Sequence, residues 1–365
     1  DFALNFSGVD ADDYDFDLEV VDSTASADAS ITVLEADDVE SSFSQSVFSN
    51  QRGDVIEFTV ELSNSDTATV NIGSAAGQDD IGYGATFTVD DSDDEDGQVT
   101  VLFNTNSPRS ANPFETDADD DAITGVSTTG TDSALDAAAY DINTTATDGE
   151  DDVATLNLGE LSVDSFALYT APEEADIQDA EEISEIDSFK EGGNFTESSR
   201  LAFGDFLYHE LQISGIDGLF TSAEQGSDAA TVKEALTNKS FALNISIVET
   251  DASASANADN KVLANTSETI GLGSLGTNFD DGHVIVDGEN DTYYIGFPIN
   301  AGQDTDEGDG TVADDEEYEV TIQLTDTAPS ELVDENVSVT QTFTLQDREV
   351  ELDSTTKDEE GNDII

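Results

Sequence analysis

The feature that most constrains the fold of this chain is an alternation of apolar and polar residues in many short runs. In VIEFTVEL, residues 55–62, every second residue is apolar, and YGATFTV and QVTVLF repeat the pattern. A period of two is typical of a strand that buries one face of an antiparallel sheet. Clusters of Gly, Asn, Asp and Ser, which favour turns, separate the runs. The pattern predicts an all-β fold built of β-sandwiches.

Helical periodicity is confined to two short segments. Residues 227–238, SDAATVKEALTN, place Ala229, Val232 and Leu236 on one helical face. Residues 177–186, IQDAEEISEI, are a weaker second candidate. We therefore predict one or two short helices within the all-β chain.

The charge of the chain restricts its solvent and its partners. The 365 residues include 85 Asp and Glu against 9 Lys and Arg, a net charge of −76. Such a surface repels phosphate, which excludes a nucleic-acid partner. It also destabilises a compact state in dilute buffer, whereas in molar salt the Debye length falls to about 3 Å. Because 19 Phe, 8 Tyr and the strand pattern argue against disorder, we predict a folded protein from a high-salt organism.

Motifs for catalysis are scarce. The chain has no Cys, which excludes disulfides and cysteine zinc sites. Neither His209 nor His283 lies in a catalytic motif, and His209 alternates with Leu207 and Leu211 as a packed strand residue would. The string GLGSLG, residues 271–276, leads into a turn and a strand and not into the helix that a dinucleotide site requires. Nothing in the sequence supports an enzyme.

Two stretches of the sequence resemble each other. Residues 13–26, DYDFDLEVVDSTAS, and residues 317–330, EYEVTIQLTDTAPS, each begin with an acidic-Tyr-acidic triplet and precede a further strand pattern. An acidic turn, a Tyr and then alternating apolar residues are typical of the last two strands of an immunoglobulin-like sandwich. Tyr14 and Tyr318 are therefore predicted to be corner tyrosines.

This repetition predicts tandem immunoglobulin-like sandwiches. We assign residues 1–36 to the C-terminal strands of a preceding domain, 37–172 to one sandwich, 173–353 to another with a helical insert, and 354–365 to an acidic tail or linker. Residues 1–36 have a second interpretation as strands donated to a neighbouring subunit's sheet, since an open sheet edge offers unpaired backbone groups. We favour the first interpretation, with the rest of that domain upstream.

Acidic clusters raise the question of metal binding. Residues 90–97, DDSDDEDG, precede a strand, and aligning Gly97 with position 6 of an EF-hand loop puts Phe103 where a Glu is required. Strands and not helices flank the loop. We favour a solvated acidic turn, and the alternative is an adventitious or interface cation site. The candidate ligands are Asp93, Asp94, Asp309, Asp314 and Asp315.

Two short motifs relate to the cell surface. The triplet RGD, residues 52–54, is adhesion-like, but three letters recur by chance, and we predict a turn before the strand at Val55. The N-glycosylation sequon N-x-[ST] recurs along the chain. A surface glycoprotein would use such sites. The sequons lie at Asn5, Asn143, Asn194, Asn238, Asn244, Asn265, Asn290 and Asn336.

Five strings occur in the order typical of a known family. They are SNQRGDVIEFTVELSNSDTATVNIG (49–73), GQVTVLFNT (97–105), LDAAAYDI (135–142), ATLNLGELSVDSFALYTAP (154–172) and SRLAFGDFLYHELQISGIDGL (199–219). Together they resemble the haloarchaeal S-layer glycoproteins and related major cell surface glycoproteins. The resemblance is good over roughly residues 31–219 and loose elsewhere. GELS at 159–162 and Tyr169 depart from the family pattern, which indicates a divergent member.

The resemblance implies immunoglobulin-like domains in series, export, N-glycosylation and assembly into an extracellular layer in which divalent cations commonly take part. We expect a structural cell-surface glycoprotein of a halophilic archaeon that binds copies of itself and N-linked glycans, with no resident cofactor beyond Ca²⁺ or Mg²⁺ as assembly ions. No apolar run is long enough to span a bilayer. The alternatives are a filament subunit joined by donated strands and a secreted adhesion or binding module, which would carry a concentrated aromatic patch.

Overall fold

A computed structural model of the protein describes residues 8–34, 38–146, 151–177, 180, 183–221, 243–250, 260–265, 283–287, 290–300, 311–325, 332–333 and 336–348. Within these ranges the chain forms strands in several sheets and two short α-helices, α1 (Ile183–Glu191) and α2 (Asp217–Thr221). The predicted all-β fold is therefore confirmed. Among the described residues, no helix is long and apolar enough to cross a membrane.

The first sandwich is built from ten strands in two sheets. Sheet order is β3-β5-β8-β9 in one sheet and β10-β7-β6-β11-β12-β4 in the other, with β4 parallel to β12. The strands are β3 (Glu40–Phe43), β4 (Val47–Gln51), β5 (Val55–Ser63), β6 (Thr67–Gly73), β7 (Tyr83–Asp90), β8 (Gln98–Asn104), β9 (Phe114–Thr116), β10 (Ala122–Gly130), β11 (Ala139–Ala146) and β12 (Asp151–Gly159).

Alternation in the sequence produces the core of this sandwich. Along β5 every second side chain, from Ile56 to Leu62, is buried, and the residues between them are exposed or half-buried. Aromatic rings fill the space between the sheets, with ring centroids of Phe87 and Phe114 4.4 Å apart and those of Phe103 and Phe114 4.5 Å apart. Each large apolar side chain buried in this way stabilises the fold by roughly 1.5–3 kcal/mol.

The second sandwich repeats the same plan. Sheet order is β14-β13-β16-β20-β19 in one sheet and β15-β22-β21-β17-β18 in the other, and the short β15 again lies parallel to the last strand, β22. The strands are β13 (Ser162–Ala171), β14 (Thr196–Glu197), β15 (Arg200–Ala202), β16 (Phe206–Ser214), β17 (Leu243–Glu249), β18 (Val262–Asn265), β19 (His283–Asp287), β20 (Thr292–Pro298), β21 (Glu317–Leu324) and β22 (Val337–Gln346).

The change from one sandwich to the next comes earlier than the sequence predicts. Strand β12 ends at Gly159 in the first sandwich, whereas β13 pairs with β16, and its Phe166 and Leu168 pack into the second core. The chain therefore passes from the first sandwich to the second between residues 159 and 162, whereas the sequence pattern predicts this boundary at residue 172. The reason is that β13 has the same alternation as its neighbours and carries no local mark of the sheet it joins.

Helix α1 lies close to its predicted place, at 183–191 instead of 177–186. Ile186 buries its apolar face. At its C-terminal end Lys190 Nζ lies 2.9 Å from a Glu210 carboxylate oxygen and 5.0 Å from the ring centroid of Tyr169. The ion pair and the cation–π contact together fix this end of the helix against the sheet. The helix predicted at 227–238 and the glycine-rich string at 271–276 lie outside the described residues.

His209 is a packed strand residue, as its sequence environment predicts. Its side chain is fully buried on β16, with Nδ1 2.9 Å from the Ile295 carbonyl oxygen and the ring close to those of Phe166 and Phe297. Burial lowers the pKa of His209 to about 4, so the imidazole is neutral at physiological pH.

The strands β1 (Asp12–Glu19) and β2 (Ser26–Val33) precede the first sandwich and form a separate two-stranded sheet. Almost every residue of this hairpin is exposed. An isolated two-stranded hairpin is only marginally stable in water, so this element depends on further contacts for its stability.

Candidate functional site

The RGD triplet forms part of the joint between the two sandwiches. Arg52, Gly53 and Asp54 lie in the turn between β4 and β5, and Arg52 and Asp54 are only 4% and 2% exposed. The predicted turn is therefore confirmed. Because the triplet is buried, it does not offer the accessible loop that an adhesion receptor would need.

The Asp54 carboxylate holds the turn that follows β16 in the second sandwich. Its Oδ1 accepts hydrogen bonds from the backbone N–H groups of Gly215 at 2.8 Å and Asp217 at 3.0 Å, and its Oδ2 lies 2.9 Å from the Gly215 nitrogen. One side chain thus satisfies two buried backbone donors 161 and 163 residues away in the sequence. Since both oxygens accept from N–H groups, this carboxylate serves as a hydrogen-bonding joint and not as a metal ligand.

Neighbouring polar groups complete the joint. The Gly218 N–H donates to the Gly53 carbonyl at 3.0 Å, and the Asn104 side-chain amide donates to the Gly218 carbonyl at 2.9 Å. Thr105 Oγ1 lies 2.6 Å from the Asp54 carbonyl oxygen and accepts from the Gly53 N–H at 2.9 Å. Hydrogen bonds from the β4–β5 turn and from the end of β8 therefore hold the turn that follows β16 in the second sandwich.

Two glycines allow the backbones to meet. Gly53 has a φ of +94°, and a Cβ at this residue would lie 2.1 Å from the Gly215 carbonyl oxygen and 2.5 Å from Leu332 Cδ2. Gly215 has a φ of +104°, and its Cβ would lie 2.7 Å from the Arg52 carbonyl oxygen. The contact between the sandwiches is consequently backbone against backbone, which only glycine permits.

Carboxyl groups in the joint retain their protons more strongly than usual. Burial raises the pKa of Asp54 to about 7, and the negative charges of Asp291 and Asp217 also raise it. The hydrogen bonds from the N–H groups of Asp217 and Gly215 lower the pKa but do not offset the burial. Burial also raises the pKa of Asp217 to about 6, with the charge of Asp291 adding to it. Asp291 itself accepts a hydrogen bond from Ser214 Oγ at 2.7 Å. The joint is thus a buried acidic site whose protonation changes near neutral pH.

Corner tyrosines appear in the first hairpin and in the first sandwich. Tyr14 on β1 donates from its hydroxyl to the Asp10 carbonyl at 2.8 Å, and Tyr140 on β11 donates to the Asp136 carbonyl at 3.0 Å. Each bond reaches back four residues, as in the tyrosine corner of immunoglobulin-like folds. Tyr318 on β21 occupies the equivalent strand but donates to the Glu316 side chain at 3.0 Å. The predicted corner bond is therefore present at Tyr14, whereas at Tyr318 a side-chain carboxylate replaces the backbone acceptor.

Replacing Tyr140 with Phe is expected to lower the free energy of unfolding of the first sandwich by about 1 kcal/mol, because one hydrogen bond to a backbone carbonyl is lost. Thermal denaturation in molar salt measures the change. The matched control is Tyr14→Phe, which deletes the same bond in the exposed hairpin and should leave the melting of both sandwiches unchanged. Equal effects of the two substitutions would contradict this assignment.

One face of the first hairpin is apolar and partly exposed. Tyr14, Phe16 and Leu18 lie in register with Ile31, Ala29 and Ala27, so their side chains share a face. Leu18 is 52% exposed and Ile31 40%. The corresponding face of β11, with Tyr140 and Ile142, is 1% exposed beneath the other sheet of its sandwich. The hairpin therefore presents a surface of the kind that is buried in the first sandwich.

The acidic loop between β7 and β8 brings several carboxylates close together. Carboxylate oxygens of Asp91, Asp94 and Asp96 all lie within 4.8 Å of one another. A fourth carboxyl, Asp121 from the loop before β10, has its pKa raised to about 6 by burial and then by the charges of these three. Of the candidate ligands, Asp94 is in this group and its neighbour Asp93 is not. The EF-hand alignment missed Asp91 and Asp121 because it sought one continuous spacing.

The remaining candidate ligands lie elsewhere. Asp314 Oδ1 accepts a hydrogen bond from the Asp347 N–H at 2.8 Å, and the Asp315 N–H donates to the Leu345 carbonyl at 2.9 Å. Both aspartates line a surface cavity of about 620 Å³ that also contains Arg348. Asp309 lies outside the described residues.

Sequons differ in accessibility. Asn194, Asn290 and Asn336 are exposed outside the strands. Asn143 and Asn244 are half-buried in strands that pair on both sides, and Asn143 Oδ1 accepts from Asn71 at 2.9 Å. Asn265 ends β18. Asn5 and Asn238 lie outside the described residues.

Comparison with known proteins gives relatives of one kind. Residues 33–147, most of the first sandwich, match a family model described as a domain of unknown function, DUF7827. The chain is 34% identical over 365 residues to the "Cell surface glycoprotein" of Haloferax gibbonsii, a match that covers 96% of this chain and 38% of the relative. It is 28% and 29% identical over 382 residues to "Cell surface glycoprotein 2" and "Cell surface glycoprotein 1" of Haloarcula hispanica, again over 96% of this chain and 39% of each relative.

These matches define the chain's relationships. It spans a little over a third of the length of the curated relatives. Their names agree with the predicted extracellular location at the cell surface, and they confirm the resemblance seen in the sequence. Over almost its whole length, this chain is similar to the cell surface glycoproteins of these haloarchaea.

Proposed function

We propose that this chain is a structural module of an extracellular layer that assembles on the surface of a haloarchaeon. The observation that carries the proposal is the buried joint. Asp54 and Gly53 of the first sandwich are bonded to Gly215, Asp217 and Gly218 of the second. A joint of this kind sets the orientation of one sandwich to the next, which a load-bearing layer requires and a pair of independent binding modules does not.

The distribution of charge fits a layer formed in brine. Net charge of −76 keeps separate copies soluble, and molar salt screens it to about 3 Å, so that copies can approach. An adhesion module, by contrast, would expose a concentrated aromatic patch. Among the described residues, the exposed large apolar side chains are Val, Leu and Ile, and none is aromatic. The charge and the buried aromatics therefore favour the structural role.

We further propose that the first hairpin is the final hairpin of another sandwich in the same series. Tyr14 makes the corner bond that Tyr140 makes in the first sandwich, and the apolar face through Leu18 matches the buried face of β11. The same exposed face supports the second candidate, a filament in which the hairpin completes a neighbouring subunit's sheet. The shape of the assembly separates the two, since donated strands produce threads.

Immunogold electron microscopy of intact cells tests the location and the layer. Antibody against the chain is expected to label unbroken cells over their whole surface, at a density that lysis does not increase. An antibody against a cytosolic protein, which should label only lysed cells, is the control. Labelling that appears only after lysis would contradict the proposal.

Glycans are expected on Asn194, Asn290 and Asn336, because these sequons are exposed outside the strands. Asn143 is expected to stay unmodified, since its side chain is half-buried in a central strand and already bonded to Asn71. Mass spectrometry of glycopeptides from the native protein measures the occupancy of each site. A glycan on Asn143, with Asn194, Asn290 and Asn336 unmodified, would contradict this prediction.

A further inference from the structure

Three carboxylates cluster at one end of the first sandwich, and a fourth, Asp121, is close enough for their charges to raise its pKa. Asp91, Asp94 and Asp96 belong to the β7–β8 loop, which passes from the six-stranded sheet to the four-stranded sheet. Asp121 belongs to the β9–β10 loop, which returns from the four-stranded sheet to the six-stranded sheet. The β7–β8 loop thus carries the cluster, and the β9–β10 loop brings one more carboxyl group near it.

Two of these carboxylates have a buried oxygen without a donor. Asp91 is 2% exposed, and its Oδ2 accepts from the Gly97 N–H at 2.9 Å. Its Oδ1 is shielded from solvent and has no hydrogen bond, and the same holds for Oδ1 of Asp121. Burying a carboxylate oxygen without a hydrogen-bond partner destabilises the folded state. A positively charged ligand would satisfy these two shielded carboxylate oxygens.

Protein cations do not fill this role in the part of the chain that the structure describes. The ion pairs there join Arg52 to Asp136, Arg109 to Asp132, Lys190 to Glu210, Lys261 to Glu316, and Arg348 to Glu174 and Asp205. None of these pairs includes a member of the acidic group. The four negative charges are thus left for an ion from solution.

The donor set suits a hard divalent cation that tolerates an irregular ligand geometry. The three clustered carboxylates each place an oxygen within 4.8 Å of the others, close enough for one cation to reach all three, and Ca²⁺ accepts such flexible sets of carboxylate ligands. Mg²⁺ demands bonds of about 2.0–2.1 Å in strict octahedral geometry and gives up its water reluctantly. We propose that Asp91, Asp94 and Asp96 bind one Ca²⁺ in the β7–β8 loop. This site would stabilise the single chain and does not rest on assembly into a layer.

Calcium titration of the full chain tests the site. The protein is stripped with EDTA, dialysed into molar KCl and titrated with CaCl₂ while its thermal unfolding is followed, with isothermal calorimetry of the same samples. The melting temperature of the wild type is expected to rise and saturate, because a ligand that binds only the folded state stabilises it in proportion to the logarithm of its concentration. Asp91→Asn should weaken the binding seen in this response at least ten-fold, and MgCl₂ should produce a smaller rise than CaCl₂.

Asp93→Asn is the matched control, since it removes the same charge from the same loop but lies outside the cluster. It should respond to CaCl₂ like the wild type. Asp94→Asn removes a ligand that is exposed, so it should fold even if the substitution of the buried Asp91 prevents folding, and it tests the same site. A saturable response that is lost in Asp94→Asn and kept in Asp93→Asn supports the site. Equal responses from all variants, or none from the wild type, would overturn it.

Discussion

Replacing Gly53 with alanine is expected to destabilise the joint between the sandwiches by at least about 3 kcal/mol. The new Cβ would lie 2.1 Å from the Gly215 carbonyl oxygen, so one backbone must move away from the other. That movement also pulls the Gly218 N–H away from the Gly53 carbonyl, a bond of 3.0 Å. Differential scanning calorimetry in molar salt should show the two sandwiches unfolding at separate temperatures, where the wild type unfolds them together.

Gly77→Ala is the control for backbone strain. Gly77 has a φ of +93°, almost identical to the +94° of Gly53, but nothing lies within 4 Å of its Cβ position. Substitution there adds the strain of a positive φ, about 1–2 kcal/mol, without any clash. If the two alanine variants lose the same stability and both melt in a single transition, the contact at Gly53 does not couple the sandwiches.

Replacing Asp54 with alanine is expected to cost about 2–6 kcal/mol, because the N–H groups of Gly215 and Asp217 each lose their bond to this side chain at roughly 1–3 kcal/mol. Asp54→Asn provides the matched comparison, since the amide oxygen can still accept both bonds. Urea or thermal denaturation of both variants in the same salt measures the difference. Alanine and asparagine variants of equal stability would show that the acceptor role of Asp54 does not hold the joint.

The dependence on pH has a definite sign. The folded-state pKa of Asp54 lies near 7, above its ordinary value of 3.8, so the folded protein retains a proton that the unfolded chain releases. This contribution to stability is complete below pH 3.8 and is lost as the pH rises through about 7. Asp217, with a pKa of about 6, acts in the same direction. Asp54→Asn should therefore gain stability relative to the wild type as the pH rises from about 4 to about 7, and a relative loss of stability over this range would contradict the assignment.

Local patterns in the sequence predict the sheets well. Alternation over residues 55–62 identifies β5 and its buried face, because the side-chain period of a strand is a property of the strand itself. The repeated acidic-Tyr-acidic motif identifies Tyr14 and Tyr318 as residues of antiparallel strand pairs for the same reason. Tyr140 lacks that motif, since Ala139 precedes it, and its corner bond emerges only from the structure.

Long-range sites leave no such pattern. The joint brings Asp54 to Gly215 across 161 residues, and only the packing of complete sandwiches creates that contact. In the acidic cluster, Asp91 and Asp121 come from different loops, and in a chain with 85 acidic residues neither stands out from its neighbours. Asp91 is buried and one oxygen of Asp121 is shielded from solvent, and such shielding is a property of the fold and not of the local sequence.

Electron microscopy of the purified native protein in molar salt, before and after EDTA, tests the central claim most directly. The structural role predicts ordered sheets that disperse when the chelator removes divalent ions. Monodisperse particles under both conditions would contradict a self-assembling layer.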